Sequence, residues 1–285
     1  MGKIKIVTDS TSSLTIEECK KMDIECLQTT YVLDGEEHYA FDNEQESLLK
    51  FYEKLDKISS CSTGCVNEQT FEDCFDKYAS KGNEVLYIGL SSYLSSTYSY
   101  SIKAAETINN KYGKRLVYCI DSRSGSYGIL FLIEKAQELI SQNKSLGEIE
   151  DILNNIAKNI SVAFVCRDLS FLHKSGRIGR VEASIGKLLK IVPIVYVSED
   201  GPLKTGDKCI GTKLAYKTLK NKFVQFIKNK NHTMCHITSC GLDEDAESLK
   251  KYIQENTNII NIKVGYIDKT LACCCGPKTL AIFCG

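Results

Sequence analysis

Small hydroxyl residues crowd several short stretches of this chain, and the densest is Ser91-Ser92-Tyr93-Leu94-Ser95-Ser96-Thr97-Tyr98-Ser99. It follows the apolar run Val85-Leu86-Tyr87-Ile88-Gly89-Leu90 and leads into Ile102-Lys103-Ala104-Ala105-Glu106-Thr107-Ile108. A run of the first kind reads as a buried strand, and the second has helical spacing. The hydroxyls therefore sit where a strand becomes a helix. Free backbone N–H groups and the positive end of the helix dipole favour an anion there, and Ser and Thr add donors without adding charge. The chemistry indicated is binding of a carboxylate or a phosphate, with capping of the helix by Ser95 or Ser96 as the plainer use of the same side chains.

Three more stretches share this character: Thr8-Asp9-Ser10-Thr11-Ser12-Ser13, Ser59-Ser60-Cys61-Ser62-Thr63 and Asp121-Ser122-Arg123-Ser124-Gly125-Ser126. In an open α/β sheet, ligands meet the loops at the carboxyl ends of the strands. Hydroxyls from separate loops, with Ser10, Thr63, Ser95, Ser96 and Thr97 as the candidates, can converge on one anion. Taken singly, each loop is equally a cap or a side-chain turn. The sharper alternative is a hydrolase or transferase with Ser95 as nucleophile, but a Gly-x-Ser-x-Gly elbow is missing and only four histidines are available as a base. Neither Gly-x-x-x-x-Gly-Lys-Ser/Thr nor Gly-x-Gly-x-x-Gly occurs, so no nucleotide cofactor is expected.

The segment Leu172-His173-Lys174-Ser175-Gly176-Arg177-Ile178-Gly179-Arg180 has two readings. Gly176 can end a helical turn in a left-handed conformation, leaving Arg177 as a surface cation. Alternatively, the glycines and arginines form a loop that grips a negative head group. His232, Cys235, His236 and Cys240 have the residue types of a zinc set, yet they run along an expected strand whose side chains alternate faces, so no metal site is expected. The fourteen cysteines are scattered through an ordinary globular composition and read as reduced thiols, mostly core filler.

The elements that must position these groups alternate along the first half: strand Ile4–Thr8 then helix Thr15–Met22, strand Val85–Leu90 then helix Thr97–Tyr112, and strand Leu116–Ile120 then helix Gly125–Ser141. Helices Glu46–Leu55, Gln69–Tyr78 and Leu146–Lys158 fill the rest. This is the pattern of a mainly parallel sheet with helices on both faces. From Val162 onward strands are expected at Ile191–Val197, Pro202–Thr205, His232–Thr238, Ile259–Tyr266 and Thr279–Cys284, with one hairpin-like turn at Glu199-Asp200-Gly201. The expected architecture is α/β in two domains: an N-terminal α/β layer domain over 1–159 and a C-terminal α+β domain with a mixed sheet over 160–285. A ligand is expected at the cleft between them.

Thirty-six basic and thirty-six acidic residues cancel, so no global field draws the chain to nucleic acid. The lysine-dense helix Lys213–Lys230 carries Leu219, Phe223, Phe226 and Ile227 on one face, which makes its lysines a solvated face. No apolar run approaches the roughly 18 residues of a membrane span, and the start turns polar at Thr8-Asp9, too early for a signal peptide. A cytoplasmic protein is expected, with at most transient contact with a membrane surface.

Taken together, these pieces resemble the DegV family of bacterial lipid-binding proteins over the full length of the chain. The resemblance is carried by Thr8-Asp9-Ser10-Thr11, Thr63-Gly64-Cys65-Val66-Asn67 with Phe71, Leu94-Ser95-Ser96-Thr97-Tyr98, Asp121-Ser122 with Gly128, Leu172 to Ile178, Gly186 to Pro193, and Gly276-Pro277. It implies a binding protein rather than an enzyme, holding one long-chain fatty acid by its carboxylate with the tail in an apolar tunnel of the second domain. It also implies a separate ATP-dependent fatty acid kinase subunit as partner. Position by position, Thr63 and Ser95 match the direct carboxylate contacts and Arg177 a head-group arginine. The sequence departs from the pattern at Thr63-Gly64 (usually Thr-Ser), at Ser95-Ser96-Thr97 (usually Ser-Gly-Thr), and at Cys274, where the family pattern has a head-group histidine. Ile129 to Ile133, Phe164, Leu169, Phe171, Leu188 and Leu189 are candidates for the tail lining.

Overall fold

The computed structural model describes residues 3–40, 42–178, 191–198, 200–230 and 232–285. In chain order the first half contains β1 (Ile4–Asp9), α1 (Ile16–Lys21), β2 (Ile24–Leu27), β3 (Thr30–Leu33), β4 (Glu36–Tyr39), α2 (Gln45–Leu55), β5 (Cys61–Gly64), α3 (Glu68–Ala79), β6 (Glu84–Gly89), α4 (Thr97–Tyr112), β7 (Val117–Asp121), α5 (Tyr127–Ser141) and α6 (Leu146–Asn159). The second half continues with β8 (Ser161–Val165), α7 (Ser170–Lys174), β9 (Ile191–Val197), β10 (Leu203–Ile210), α8 (Thr212–Lys230), β11 (Cys235–Ser239), α9 (Asp243–Asn256), β12 (Ile262–Tyr266), α10 (Lys269–Cys275) and β13 (Leu280–Cys284).

These elements form two compact units, and the first comprises Met1–Thr30, His38–Asn43 and Gly64–Asn159. Its sheet has the order β2-β1-β6-β7 with every pairing parallel. Val85, Leu86, Tyr87 and Ile88 on β6 are all fully buried, as an inner parallel strand covered on both faces requires. Local chemistry sets the helix ends. Thr15 and Glu18 form a reciprocal capping box at α1, and Asn67 accepts from the Thr70 N–H at α3. Gly113, with φ of 63°, stops α4 in the left-handed conformation that glycine adopts without strain.

The second unit comprises Tyr31–Glu37, Glu44–Thr63 and Ile160–Gly285. Its six-stranded sheet runs β10-β9-β8-β13-β11-β12, and all neighbours are antiparallel except the parallel pair β11 and β12. The expected parallel and mixed sheets are both present. A three-stranded sheet has the order β4-β3-β5. Segments 31–37 and 44–63, which the sequence reading assigns to the N-terminal domain, group with the second unit. The reason is packing: Tyr31 meets the Phe51 ring edge-on at 5.1 Å, and the buried Tyr52 hydroxyl donates to the Ile267 carbonyl at 2.5 Å.

Other expectations shift in detail. The strand expected to end at Thr205 continues to Ile210 through a register shift between Thr205 and Lys208, where one extra residue interrupts the ladder without ending the strand. The strand expected from Ile259 begins at Ile262. On α8, Leu219, Phe223 and Ile227 are buried at a spacing of four, whereas Phe226 is 42% exposed, because it lies at the edge of that stripe. Ser198 and Gly201 close the expected hairpin turn, with φ of 107° at Gly201; Glu199 lies outside the described residues. Among the described residues, no helix is long and apolar enough to cross a membrane.

Candidate functional site

In the first unit, the loops at the carboxyl ends of β1, β6 and β7 carry the hydroxyl residues, and two carboxylates organise them. Asp9 is fully buried. It accepts from the Thr11 N–H at 3.0 Å and the Thr11 hydroxyl, from the Tyr87 hydroxyl at 2.7 Å, and from the Leu90 N–H at 3.3 Å. These donors replace the water a buried carboxylate loses, and they tie the β1 loop to β6. Burial, together with the facing Asp9 charge, holds the Tyr87 phenol far above its ordinary range, so it stays a donor. Asp121 does the same for the next loops, accepting from the Ser92 hydroxyl at 2.5 Å and from the N–H groups of Ser92 and Arg123.

The candidate hydroxyls fare differently. Ser10 is fully buried and committed to Thr29: their hydroxyls meet at 2.7 Å, and the Thr29 N–H donates to Ser10 Oγ at 3.1 Å. Ser95 is half-buried, with its Oγ 2.9 Å from Thr97 Oγ1, 3.2 Å from the Thr97 N–H and 3.3 Å from Cys65 Sγ. None of these partners is a base, so Ser95 has no general-base partner for nucleophilic chemistry among the described residues. Ser96 is exposed at the start of α4, and its side chain makes no cap. Thr97 is buried beneath Ser95. Cys65 is exposed beside Ser95, a neighbour that no local pattern of the sequence marks.

In the second unit, Thr63 on β5 is half-buried, and its hydroxyl lies 3.9 Å from the Cys274 thiol on α10. Burial pushes the Cys274 thiol up to about 11, while the Arg177 guanidinium and the Thr63 hydrogen bond pull it down. It is therefore a neutral thiol at physiological pH. Gly176, with φ of 77°, follows the end of α7, and its N–H donates to the His173 carbonyl. The capping and head-group readings of this segment are thus compatible: the glycine ends the helix, and Arg177 stands close enough to Cys274 to act on its charge. Arg177 also donates through Nη1 to the Ser175 carbonyl. Gly179, Arg180, Gly186, Lys187, Leu188, Leu189 and Lys190 lie outside the described residues.

One departure from the family pattern, and one residue that keeps to it, have local explanations. A Cβ at Gly64 would run into the Thr30 hydroxyl, so the usual serine does not fit beside this threonine. Gly276, with φ of 82°, ends α10 where a Cβ would come within 2.7 Å of the Phe171 ring. The zinc-like set is dispersed: His232 meets the Ser161 hydroxyl at 2.9 Å, Cys235 stands opposite Cys284, and the Cys240 N–H donates to the Thr279 carbonyl. Of the tail-lining candidates, Ile129, Leu130, Leu132 and Ile133 are buried in the first unit, and Phe164 and Leu169 in the second.

Comparison with known proteins adds three similarities. A DegV domain-containing protein of Clostridium perfringens is 31% identical over 283 residues, covering 99% of this chain and 97% of its own. A DegV family protein from Thermus thermophilus, whose structure is described as showing fatty acid binding, superposes with a TM-score of 0.86 at 21% identity over 99% of each chain. The Streptococcus pneumoniae fatty acid kinase (Fak) B3 protein, solved loaded with linoleic acid, superposes with a TM-score of 0.84 at 16% identity, again over 99% of each chain. At such identities the two structures establish a shared fold. A family model described as "Uncharacterised protein, DegV family" matches residues 3–284, and with that match and the clostridial identity the chain belongs to the DegV family.

Proposed function

We propose that this chain binds a single long-chain fatty acid, with its carboxylate held by the hydroxyls of Thr63 and Ser95 and its charge answered by Arg177. The observation that carries the reading is the Thr63 hydroxyl held 3.9 Å from a neutral thiol that also feels the Arg177 guanidinium. Hydroxyl, thiol and guanidinium donors with no carboxylate among them suit an anionic head. The similarity to structures described with bound fatty acids supports the same ligand. Ser96 and Thr97 supply neighbouring donors, and Ser10 braces its loop through Thr29.

The energetics divide between head and tail. About fifteen methylenes gain roughly 0.8 kcal/mol each on burial, on the order of 12 kcal/mol before ordering is subtracted. The tail supplies affinity, and the carboxylate, costly to desolvate without replacement bonds, fixes orientation. The chain is then a carrier that catalyses nothing alone and presents the acid to a separate ATP-dependent kinase subunit, a role supported by its similarity to the Fak B3 protein. A cytoplasmic setting fits the free thiols along the chain.

Native mass spectrometry of freshly purified protein, followed by denaturation and lipid extraction, tests this reading. One fatty acid per chain is expected. Protein that carries no lipid and takes up no added oleic acid overturns it.

A further inference from the structure

Ser95 has three polar contacts, and their chemistry fixes which way its own proton points. The Thr97 N–H donates to Ser95 Oγ at 3.2 Å. Thr97 Oγ1 lies 2.9 Å from the same oxygen and Cys65 Sγ 3.3 Å from it, and in neither pair does the distance alone say which atom donates. Burial decides the first pair. Thr97 is 1% exposed, so water does not serve its hydroxyl, and Ser95 Oγ is the acceptor within reach among the described residues. A buried hydroxyl keeps its proton paired, so Thr97 donates. A serine oxygen has two lone pairs and one proton. Thr97 fills both lone pairs, one with its N–H and one with its O–H, and the Ser95 proton is left for a third partner. Without a ligand that partner is the Cys65 sulfur, a weak acceptor.

We infer that Thr97 is a positioning residue, one that locks the Ser95 hydroxyl as a donor and acts on the ligand only through it. On the reading given under Proposed function, on which this role rests, Ser95 holds the carboxylate. An ionised carboxylate only accepts, so a serine whose lone pairs are already filled meets it without turning its hydroxyl round. Binding then exchanges one acceptor for another, the thiol sulfur for a carboxylate oxygen, and the charged acceptor makes the stronger bond. With its lone pairs open, Ser95 would also accept from water, and part of the population would turn oxygen rather than proton toward the acid. Holding the donor in place beforehand removes that cost from binding.

Neighbouring serines of the same stretch are arranged differently. Ser92 donates to the Asp121 carboxylate, Ser99 to the Ser96 carbonyl and Ser101 to the Tyr98 carbonyl. Their protons are committed to strong acceptors of the protein itself. Ser95 combines filled lone pairs with a proton resting on a weak acceptor, which is the state of a hydroxyl ready to be given to an incoming anion.

Two double-variant cycles on the whole protein test this role, the first with oleic acid as the probe. Thr97→Val removes the hydroxyl donor and should weaken binding about fivefold, the value of one ordinary hydrogen bond, whereas Thr97→Ser keeps the donor and should keep the affinity. In a Ser95→Ala background, Thr97→Val should change affinity by less than about twofold, because its route to the ligand is gone. Full affinity in Thr97→Val, an undiminished loss in the Ser95→Ala background, or a loss in Thr97→Ser equal to that in Thr97→Val overturns the role. Circular dichroism verifies folding, and Thr97→Ala replaces Thr97→Val if the latter does not fold. The second cycle reads Tm without ligand. Ser95→Ala strands the buried Thr97 hydroxyl and should lower Tm by about 2–4 °C, and adding Thr97→Val should return part of that loss. Losses that simply add overturn the Thr97-to-Ser95 bond. Wild-type protein that binds no oleic acid, or Ser95→Ala with full affinity, defeats the functional reading and with it the role at the ligand; the Tm cycle, which needs no ligand, tells that failure from a failure of the bond.

Discussion

The Thr63 hydroxyl and the Cys274 thiol stand 3.9 Å apart, joining a strand and a helix that lie some two hundred residues apart in the chain. A thiol is a weak hydrogen-bonding group, so this contact leaves the threonine hydroxyl able to prefer an anionic oxygen. The first prediction follows from that preference. Removing both proposed donors with Thr63→Ala and Ser95→Ala should weaken fatty acid binding at least tenfold, since a hydrogen bond to a charged group contributes about 1.5–3 kcal/mol. Fluorescence displacement measures the affinity and circular dichroism the fold; full affinity in the folded double variant removes the assignment.

Thiol reactivity should separate Cys65 from Cys274. Cys65 is exposed, whereas the Cys274 thiol is buried and pushed up to about 11, and thiolate is the reactive species. At pH 8, iodoacetamide should label Cys65 well before Cys274, as read by peptide mass spectrometry. Equal labelling rates would contradict the environment described for Cys274.

Gly64→Ser should destabilise the protein by about 1–3 kcal/mol through overpacking, because its Cβ meets the Thr30 hydroxyl. Combining it with Thr30→Ala removes the obstruction and should restore most of the loss. Chemical denaturation of both singles and the double gives the coupling; additive losses would show that Thr30 is not the obstacle.

Asp9→Ala should cost about 3 kcal/mol or more, because it leaves the buried Tyr87 hydroxyl and the Leu90 N–H without their acceptor. Urea unfolding monitored by tyrosine fluorescence tests this value, and a change below 1 kcal/mol would mean that water or another group replaces the carboxylate.

Asp23 gives a prediction in pH. Hydrogen bonds from Lys3 and then Lys5 hold its carboxyl at about 2, below the ordinary 3.8. A depressed carboxyl stabilises the fold above its unfolded value and loses that contribution as pH falls through about 2. The group is largely exposed, so after solvent screening the contribution is about 1 kcal/mol or less. Asp23→Asn should lower Tm slightly at pH 7, less so in high salt, and by nothing near pH 1.5. A difference that persists at the lowest pH would assign the effect to packing.

Periodicity made the parallel layer readable, because β6 is apolar throughout and α4 keeps its helical spacing from Thr97 to Tyr112. Family motifs pointed to Thr63, Ser95, Arg177 and Cys274. Tertiary pairings were not readable, since nothing local marks Thr29 as the partner of Ser10 or Thr30 as the reason for Gly64. The unit membership of α2 was hidden for the same reason. Its amphipathic face announces burial, but Phe51 and Tyr52 find their partners through contacts that no local pattern encodes.

That placement of α2 bears on how the protein is made. At about 5–20 residues per second of synthesis, α2 and β5 leave the ribosome well before residues 160–285 exist. Tyr52, whose hydroxyl donates to the Ile267 carbonyl, must meanwhile lack its partner, and the packing of α2 on α10 must wait. Nascent chains of this protein therefore carry a sticky amphipathic helix through most of translation, a natural target for a holding chaperone. A gene split after codon 159 should yield two insoluble halves that become soluble only when expressed together.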